Sequence, residues 1–237
     1  MDLRALPVLL DAFLLPTCLA CGATLDPERR DPLCAGCREA WPAADARGLK
    51  LHGVAPLLSV WPYRGSLQRV IVRAKEELRA PAVRVLAAGL LRKVRAEDPE
   101  EGAVVWAPPS RRRSGGWHLA RALAERLCAE LGWPAGPRMR RKAKRPSQAS
   151  LGGRARRRNL SGTFEARRRW CAPALKRVWV VDDVATTGAT LRECGRALRA
   201  LGVPRVGALV VARVVEGEGG AHPLPGKLPL RGPVPKM

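Results

Sequence analysis

Along the chain, short runs of consecutive apolar residues alternate with longer stretches in which apolar positions recur every three or four residues. The first pattern predicts buried strands and the second amphipathic helices. "SLQRVIVRAKEEL" (66–78) and "AVRVLAAGLLRKVRA" (82–96) have helical spacing, "GAVVWA" (102–107) reads as a short buried strand, and "WHLARALAERLCAEL" (117–131) as another helix. Further on, "KRVWVV" (176–181) predicts a strand and "RVGALVVARV" (205–214) another. Between them "TLRECGRALRALG" (190–202) predicts a helix with Leu191, Cys194, Leu198 and Leu201 on one face and Gly202 as its stop. Strands that are apolar throughout and separated by helices belong to a parallel sheet covered on both faces. The expected fold class is therefore α/β.

Cysteine spacing adds a second feature to this picture. "CLAC" (Cys18, Cys21) and "CAGC" (Cys34, Cys37) are two Cys-x-x-Cys knuckles separated by residues 22–33. Each can bite one side of an ion, and four thiolates so spaced suit tetrahedral Zn²⁺ in a structural site; an Fe–S cluster is the alternative for the same ligands. Disulfides would need an oxidising compartment. Three parts are expected: 1–50 as an N-terminal helix and zinc-finger module, 51–213 as the α/β domain, and 214–237, rich in Gly and Pro, as a disordered tail. The apolar opening "MDLRALPVLLDAFLLPTCLAC" has Asp2 beside Arg4, is interrupted by Asp11 and is broken by Pro7 and Pro16. It is expected to form a short helix packed on the body, not a signal peptide. No later stretch approaches the ~20 apolar residues of a membrane span. The expectation is a cytoplasmic protein without membrane insertion.

Charge bears on partners, not on fold. Lys and Arg number 43 against 21 Asp and Glu, a formal charge of +22, which attracts polyanions such as nucleic acid, nucleotides or phosphorylated metabolites. Many of these cations are clustered, as in Arg111, Arg112 and Arg113 and in "RMRRKAKR" (138–145), and clustering favours a binding face over simple solvation.

The most chemically informative stretch is "VWVVDDVATTGATL" (178–191), where an apolar strand runs into Asp182 and Asp183 and then into a loop of small residues, Ala185, Thr186, Thr187, Gly188, Ala189 and Thr190. In an open α/β sheet, ligands sit at the carboxyl ends of strands, where such a loop offers backbone N–H groups and hydroxyls to a phosphate. Carboxylates beside that phosphate would be repelled by it, and make sense as acceptors from sugar hydroxyls. A ribose 5-phosphate satisfies both halves. The loop is not a P-loop, because no Gly-Lys-Ser/Thr follows at the required spacing.

This stretch resembles the phosphoribosyl-pyrophosphate signature of type I phosphoribosyltransferases. With the cysteine quartet, Lys75 after an amphipathic helix, and "PSQASLGGRARRRNLSGTF" (146–164), the chain resembles the ComF family of competence proteins over roughly residues 8–213. In that last segment the family's recurring residues fall on Gln148, Arg156, Asn159, Gly162 and Phe164. The resemblance implies a type I phosphoribosyltransferase-like parallel sheet flanked by helices, with a small N-terminal four-Cys zinc module. It also implies a role in DNA uptake and natural transformation, with single-stranded DNA and a competence helicase or other uptake proteins as partners. Were the pocket catalytic, the implied reaction displaces pyrophosphate from ribose C1 with Mg²⁺ neutralising the leaving group. Asp182 and Asp183 would then favour the positive charge developing on the sugar. Lys75, Arg111, Arg112, Arg113, Gln148, Arg156 and Asn159 are candidates for pyrophosphate or nucleic acid. The chain departs from the family at Trp106, Ala107 and Pro108, where a Pro-Val-Pro turn is usual, and at "GGWHL" (115–119), where Arg-Gly-Phe-Asn-Gln is usual. A nucleotide-salvage phosphoribosyltransferase is the alternative function.

Overall fold

The computed structural model describes residues 16–44, 51–76, 80–109, 118–142, 162–167 and 175–215. The expected N-terminal helix and Gly/Pro-rich tail lie outside these, as do Arg111, Arg112, Arg113, Gln148, Arg156 and Asn159.

Within the described residues the chain is α/β. Helix α1 (Ala35–Glu39) belongs to the cysteine-rich segment; strand β1 (Leu57–Pro62) then leads into α2 (Gly65–Glu76) and α3 (Ala80–Glu97). Strand β2 (Ala103–Trp106) is followed by α4 (Leu119–Leu131), and β3 (Arg138–Arg141) and β4 (Phe164–Arg167) pair as an antiparallel ribbon. Strand β5 (Arg177–Ala185), helix α5 (Ala189–Arg199) and strand β6 (Arg205–Arg213) complete the order. The main sheet runs β1-β6-β5-β2 with every neighbouring pair parallel. That agrees with the α/β expectation. The central position of β6 explains its uninterrupted apolar run, since all but its first residue are buried.

Alternation along β5 feeds two cores. Trp179 and Val181 join Leu67 and Ile71 of α2, Leu86 and Leu90 of α3, and Leu123 and Leu127 of α4 on one face. Val178 and Val180 join Leu191, Cys194 and Leu198 of α5, with Met139 and Phe164 of the ribbon, on the other. The fully buried indole of Trp179 satisfies its polar edge by donating from Nε1 to Glu100 O at 3.1 Å. Cys18, Leu19, Leu25, Leu33 and Cys37 pack into the same core as α2, so the cysteine-rich segment shares apolar contacts with the sheet domain.

Three differences from the sequence-based expectation have physical causes. Strand β5 continues past Val181 through both aspartates to Ala185, because β6 supplies pairing partners as far as Arg213. Strand β1 was not expected; its residues are buried throughout as an edge strand against β6. The β3–β4 ribbon was not expected either, since Met139 and Phe164 are the single buried residue of each strand and too few to set a period.

Candidate functional site

Strand β2 passes to α4 on one face of the sheet, and its neighbour β5 passes to α5 on the opposite face. Adjacent strands whose following helices diverge leave a crevice at their carboxyl ends, the place where open α/β sheets bind ligands. One wall is Trp106, Ala107 and Pro108, with Ala107 N–H donating to Val181 O at 2.9 Å and the Arg121 guanidinium 5.6 Å from the Trp106 ring centre. The other wall carries Asp182 and Asp183.

The two carboxylates have different surroundings. Asp183 turns toward α2 and meets Lys75 Nζ at 2.7 Å. Asp182 continues the alternation toward α5, accepts from Asp183 N–H at 2.9 Å, and lies close enough to Cys194 to raise its thiol pKa alongside burial. Burial, with Asp183 as a second cause, lifts the Asp182 carboxyl from 3.8 to about 7. A neighbouring negative charge and loss of water both disfavour ionisation, and Lys75 offsets them only in part. The ion pair joins two features that the sequence marks separately, Lys75 and the acidic pair. Tyr63, which sequence reasoning missed, follows β1 into the same region: burial raises its pKa first, and the charges of Lys75 and Asp183 act on it in opposite directions. It is the chain's single tyrosine, directly after the "LLSVWP" run, and recognising that run as a strand would have pointed to it.

The expected loop over 185–190 is shorter than that range. Ala185 pairs with Arg213 in the sheet, Ala189 and Thr190 open α5, and only 186–188 connect them. Gly188 has φ +69°, and a side chain there would meet Leu51 Cδ2 at 2.5 Å. Both backbone conformation and space therefore demand glycine. Thr186 and Thr187 are exposed at the mouth of the crevice, and Thr187 Oγ1 accepts from Ala189 N–H at 3.4 Å. Beside this loop, Arg213 is buried at the carboxyl end of β6, a cation that the strand's apolar run concealed.

Of the segment that includes Gly162 and Phe164, only its end is described. Phe164 N–H donates to Glu193 Oε1 at 3.1 Å, and Arg196 Nη2 donates to Phe164 O at 3.0 Å and to Glu193 Oε1 at 2.8 Å. Burial works against an ionised Glu193, but the bonds from Arg196 and Phe164 outweigh it and hold the carboxyl below its usual range. This clasp fixes β4 on α5, whose first turn follows the 186–188 loop.

No protein-family model matches the chain, and no curated protein matches it significantly. What the site can do is therefore argued from its own geometry.

The second candidate centre is the cysteine quartet. The sulfurs of Cys18, Cys21, Cys34 and Cys37 all lie within 4.8 Å of one another, and Cys21 Sγ is 3.8 Å from Cys34 Sγ. A tetrahedral four-thiolate site with zinc–sulfur bonds of about 2.3 Å has sulfur–sulfur edges of about 3.8 Å, so the donor set fits zinc in size and softness. None of these cysteines is in a disulfide. Burial pushes Cys18 up, but the N–H groups of Cys21, Cys34 and Ala20 together hold it down at about 6; burial and three neighbouring thiols push Cys37 up to about 12. Among the described residues no helix is long and apolar enough to cross a membrane.

Proposed function

We propose that the protein is a phosphoribosyltransferase-like competence protein of the ComF type. It binds a ribose 5-phosphate or phosphoribosyl-pyrophosphate ligand between the carboxyl ends of β2 and β5, binds single-stranded DNA through its basic excess, and acts in the cytoplasm in DNA uptake. One observation carries this reading: two adjacent carboxylates lie near the carboxyl end of a central parallel strand at a topological switch point, with Val184 and Ala185 between them and a Thr-Thr-Gly turn that opens a helix. In that arrangement the turn and the first amides of α5 receive the 5-phosphate, while Asp182 and Asp183 accept from sugar hydroxyls. Lys75, already on Asp183, supplies a cation that a pyrophosphate oxygen can share. Cys18, Cys21, Cys34 and Cys37 hold a structural zinc, whose chemistry is to crosslink the two knuckles.

The test is thermal melting with phosphoribosyl pyrophosphate and Mg²⁺. A rise in melting temperature that grows with ligand concentration is expected, and it should vanish in the Asp182→Asn, Asp183→Asn double variant. An unchanged melting temperature in the parent protein would sink the pocket reading. Release of pyrophosphate on adding a purine or pyrimidine base would instead favour the alternative, a nucleotide-salvage phosphoribosyltransferase. For the DNA arm, affinity for an oligothymidylate should fall steeply with salt, by about 0.7 in logarithmic slope per neutralised phosphate. Absence of binding at low salt would remove DNA from the proposal.

A further inference from the structure

Helix α2 is in contact with both centres. Its start is held to the cysteine-rich segment by Ser66 N–H donating to Ala40 O at 3.2 Å. One turn on, Arg69 Nη2 donates to Cys37 Sγ at 3.7 Å, and a further turn on Arg73 Nη1 reaches Cys18 O at 3.4 Å. At about 100° per residue these three positions share one helix face. Lys75, which meets Asp183, flanks the buried stripe of Leu67, Val70, Ile71 and Ala74 on its other side. The first knuckle is shaped to admit Arg73: Gly22 has φ +79°, and a side chain there would sit 3.0 Å from Arg73 Nη1. Arg69 Nε is buried and has no hydrogen-bond partner among the described residues.

Beside an empty quartet the two guanidinium groups face less negative charge than beside a loaded one. Zn²⁺ held by four thiolates leaves a net charge of about −2, at a site where Cys18 and Cys37 are buried and Cys21 is exposed. N–H donors to metal-bound sulfur stabilise such a charge and fix the ligands that carry it. We infer that Arg69 and Arg73 are the counter-charges of the metal-loaded quartet, and that through α2 they tie its occupancy to the position of Lys75 against Asp183. With the metal in place, Arg69 on Cys37 Sγ and Arg73 on Cys18 O hold α2, and with it Lys75, against the acidic pair. Loss of metal removes the charge that seats the helix. This inference rests on the zinc and pocket readings above. It adds to them two positioning residues and a dependence of the pocket on the metal.

Two measurements on the full-length, zinc-loaded chain test it. The first is the rate of zinc transfer to a chromogenic chelator. Arg69→Met and Arg73→Met should each transfer zinc about 10- to 100-fold faster than the parent, with Arg84→Met, an exposed residue on α3, unchanged. Arg69→Lys should transfer more slowly than Arg69→Met, because it keeps the charge; it also stands in should the methionine variant fail to fold. Equal rates in the parent and both methionine variants would overturn the counter-charge role. The second is the melting shift given by phosphoribosyl pyrophosphate, which should shrink in Arg69→Met although no pocket side chain is altered. A full shift alongside faster zinc loss would overturn the coupling. A parent that carries no zinc refutes the zinc reading instead, and a zinc-loaded parent without any ligand shift refutes the pocket reading.

Discussion

The four-cysteine module and the end of β5 both crowd acidic groups together, but they relieve the crowding in different ways. In the module, four sulfurs stand within 4.8 Å of one another and could provide every ligand of a tetrahedral metal, which would cancel part of the thiolate charge at the point where it is gathered. Near the end of β5, Asp182 and Asp183 are met by Lys75 of α2, which pairs with Asp183. Asp182 is left with a pKa near 7. A closed site of this kind stabilises the fold, whereas a partly compensated one holds unfavourable charge in reserve for a ligand. On the proposed function, the first is the structural centre and the second the binding centre.

The largest test of that contrast is removal of the metal. Chelation, or Cys37→Ser, should cost several kcal/mol of stability, on the order of 10 °C in a thermal melt for a chain of this size. The loss should spread beyond the module, because Cys18, Leu19, Leu25 and Leu33 share a core with α2. A melt indifferent to chelator would make the module's apolar contacts sufficient and erase the distinction.

Next in size is Lys75→Met. Removing the partner of a partly buried carboxylate should destabilise the protein by about 1–3 kcal/mol. The penalty should be larger at pH 8, where Asp182 is ionised, than at pH 5, where it is protonated. Paired denaturant melts at the two pH values measure it, and an equal penalty at both would mean that Lys75 does not neutralise the pair.

Gly188→Ala should cost about 1–2 kcal/mol from the left-handed backbone alone, with the Leu51 contact adding to it, and should weaken any anion held by the 186–188 turn. Retention of parental stability, read by the same melts, would show that the turn relaxes freely.

The last effect has the opposite sign. Because the folded-state pKa of Asp182 is raised above its unfolded value of 3.8, the carboxyl costs stability as pH climbs from about 4 to 7, and the cost is constant above that. Asp182→Asn should therefore raise the melting temperature at pH 8 and leave it unchanged near pH 3.5. The amide keeps an oxygen for Asp183 N–H. A variant more stable yet unable to bind ligand would place Asp182 among residues kept at the expense of stability. A destabilised variant at pH 8 would remove the idea of charge held in reserve.

Particular elements mark how far the sequence could be read. The helices over 66–78, 82–96, 117–131 and 190–202 were legible to within a few residues, as were the strands β2 and β6, because their burial patterns follow directly from periodicity. Leu201 falls beyond the end of α5 and only partly under cover, since the helix closes at Arg199. The ribbon was illegible: each strand offers one buried residue, and its anchorage is a bond between Glu193 and Phe164, which lie 29 positions apart. Glu193 itself is a buried acid on α5, which residue type alone does not reveal.

The sequence by itself determined the cysteine quartet, the alternation of strand and helix, the acidic pair before its Thr-Gly turn, and the excess of positive charge. Each depends on residue type at short spacing, which the local backbone converts into geometry with little freedom. Only the tertiary structure decided that neighbouring aspartates have unlike environments, that Lys75 rather than solvent faces Asp183, that Arg213 and Tyr63 join the same sheet edge, and that α2 contacts both centres. Those facts depend on which face of a strand meets which helix, and on charges brought together across more than a hundred residues of chain, as with Lys75 and Asp183. Periodicity gives the face that is buried, but the partner on that face is chosen by packing.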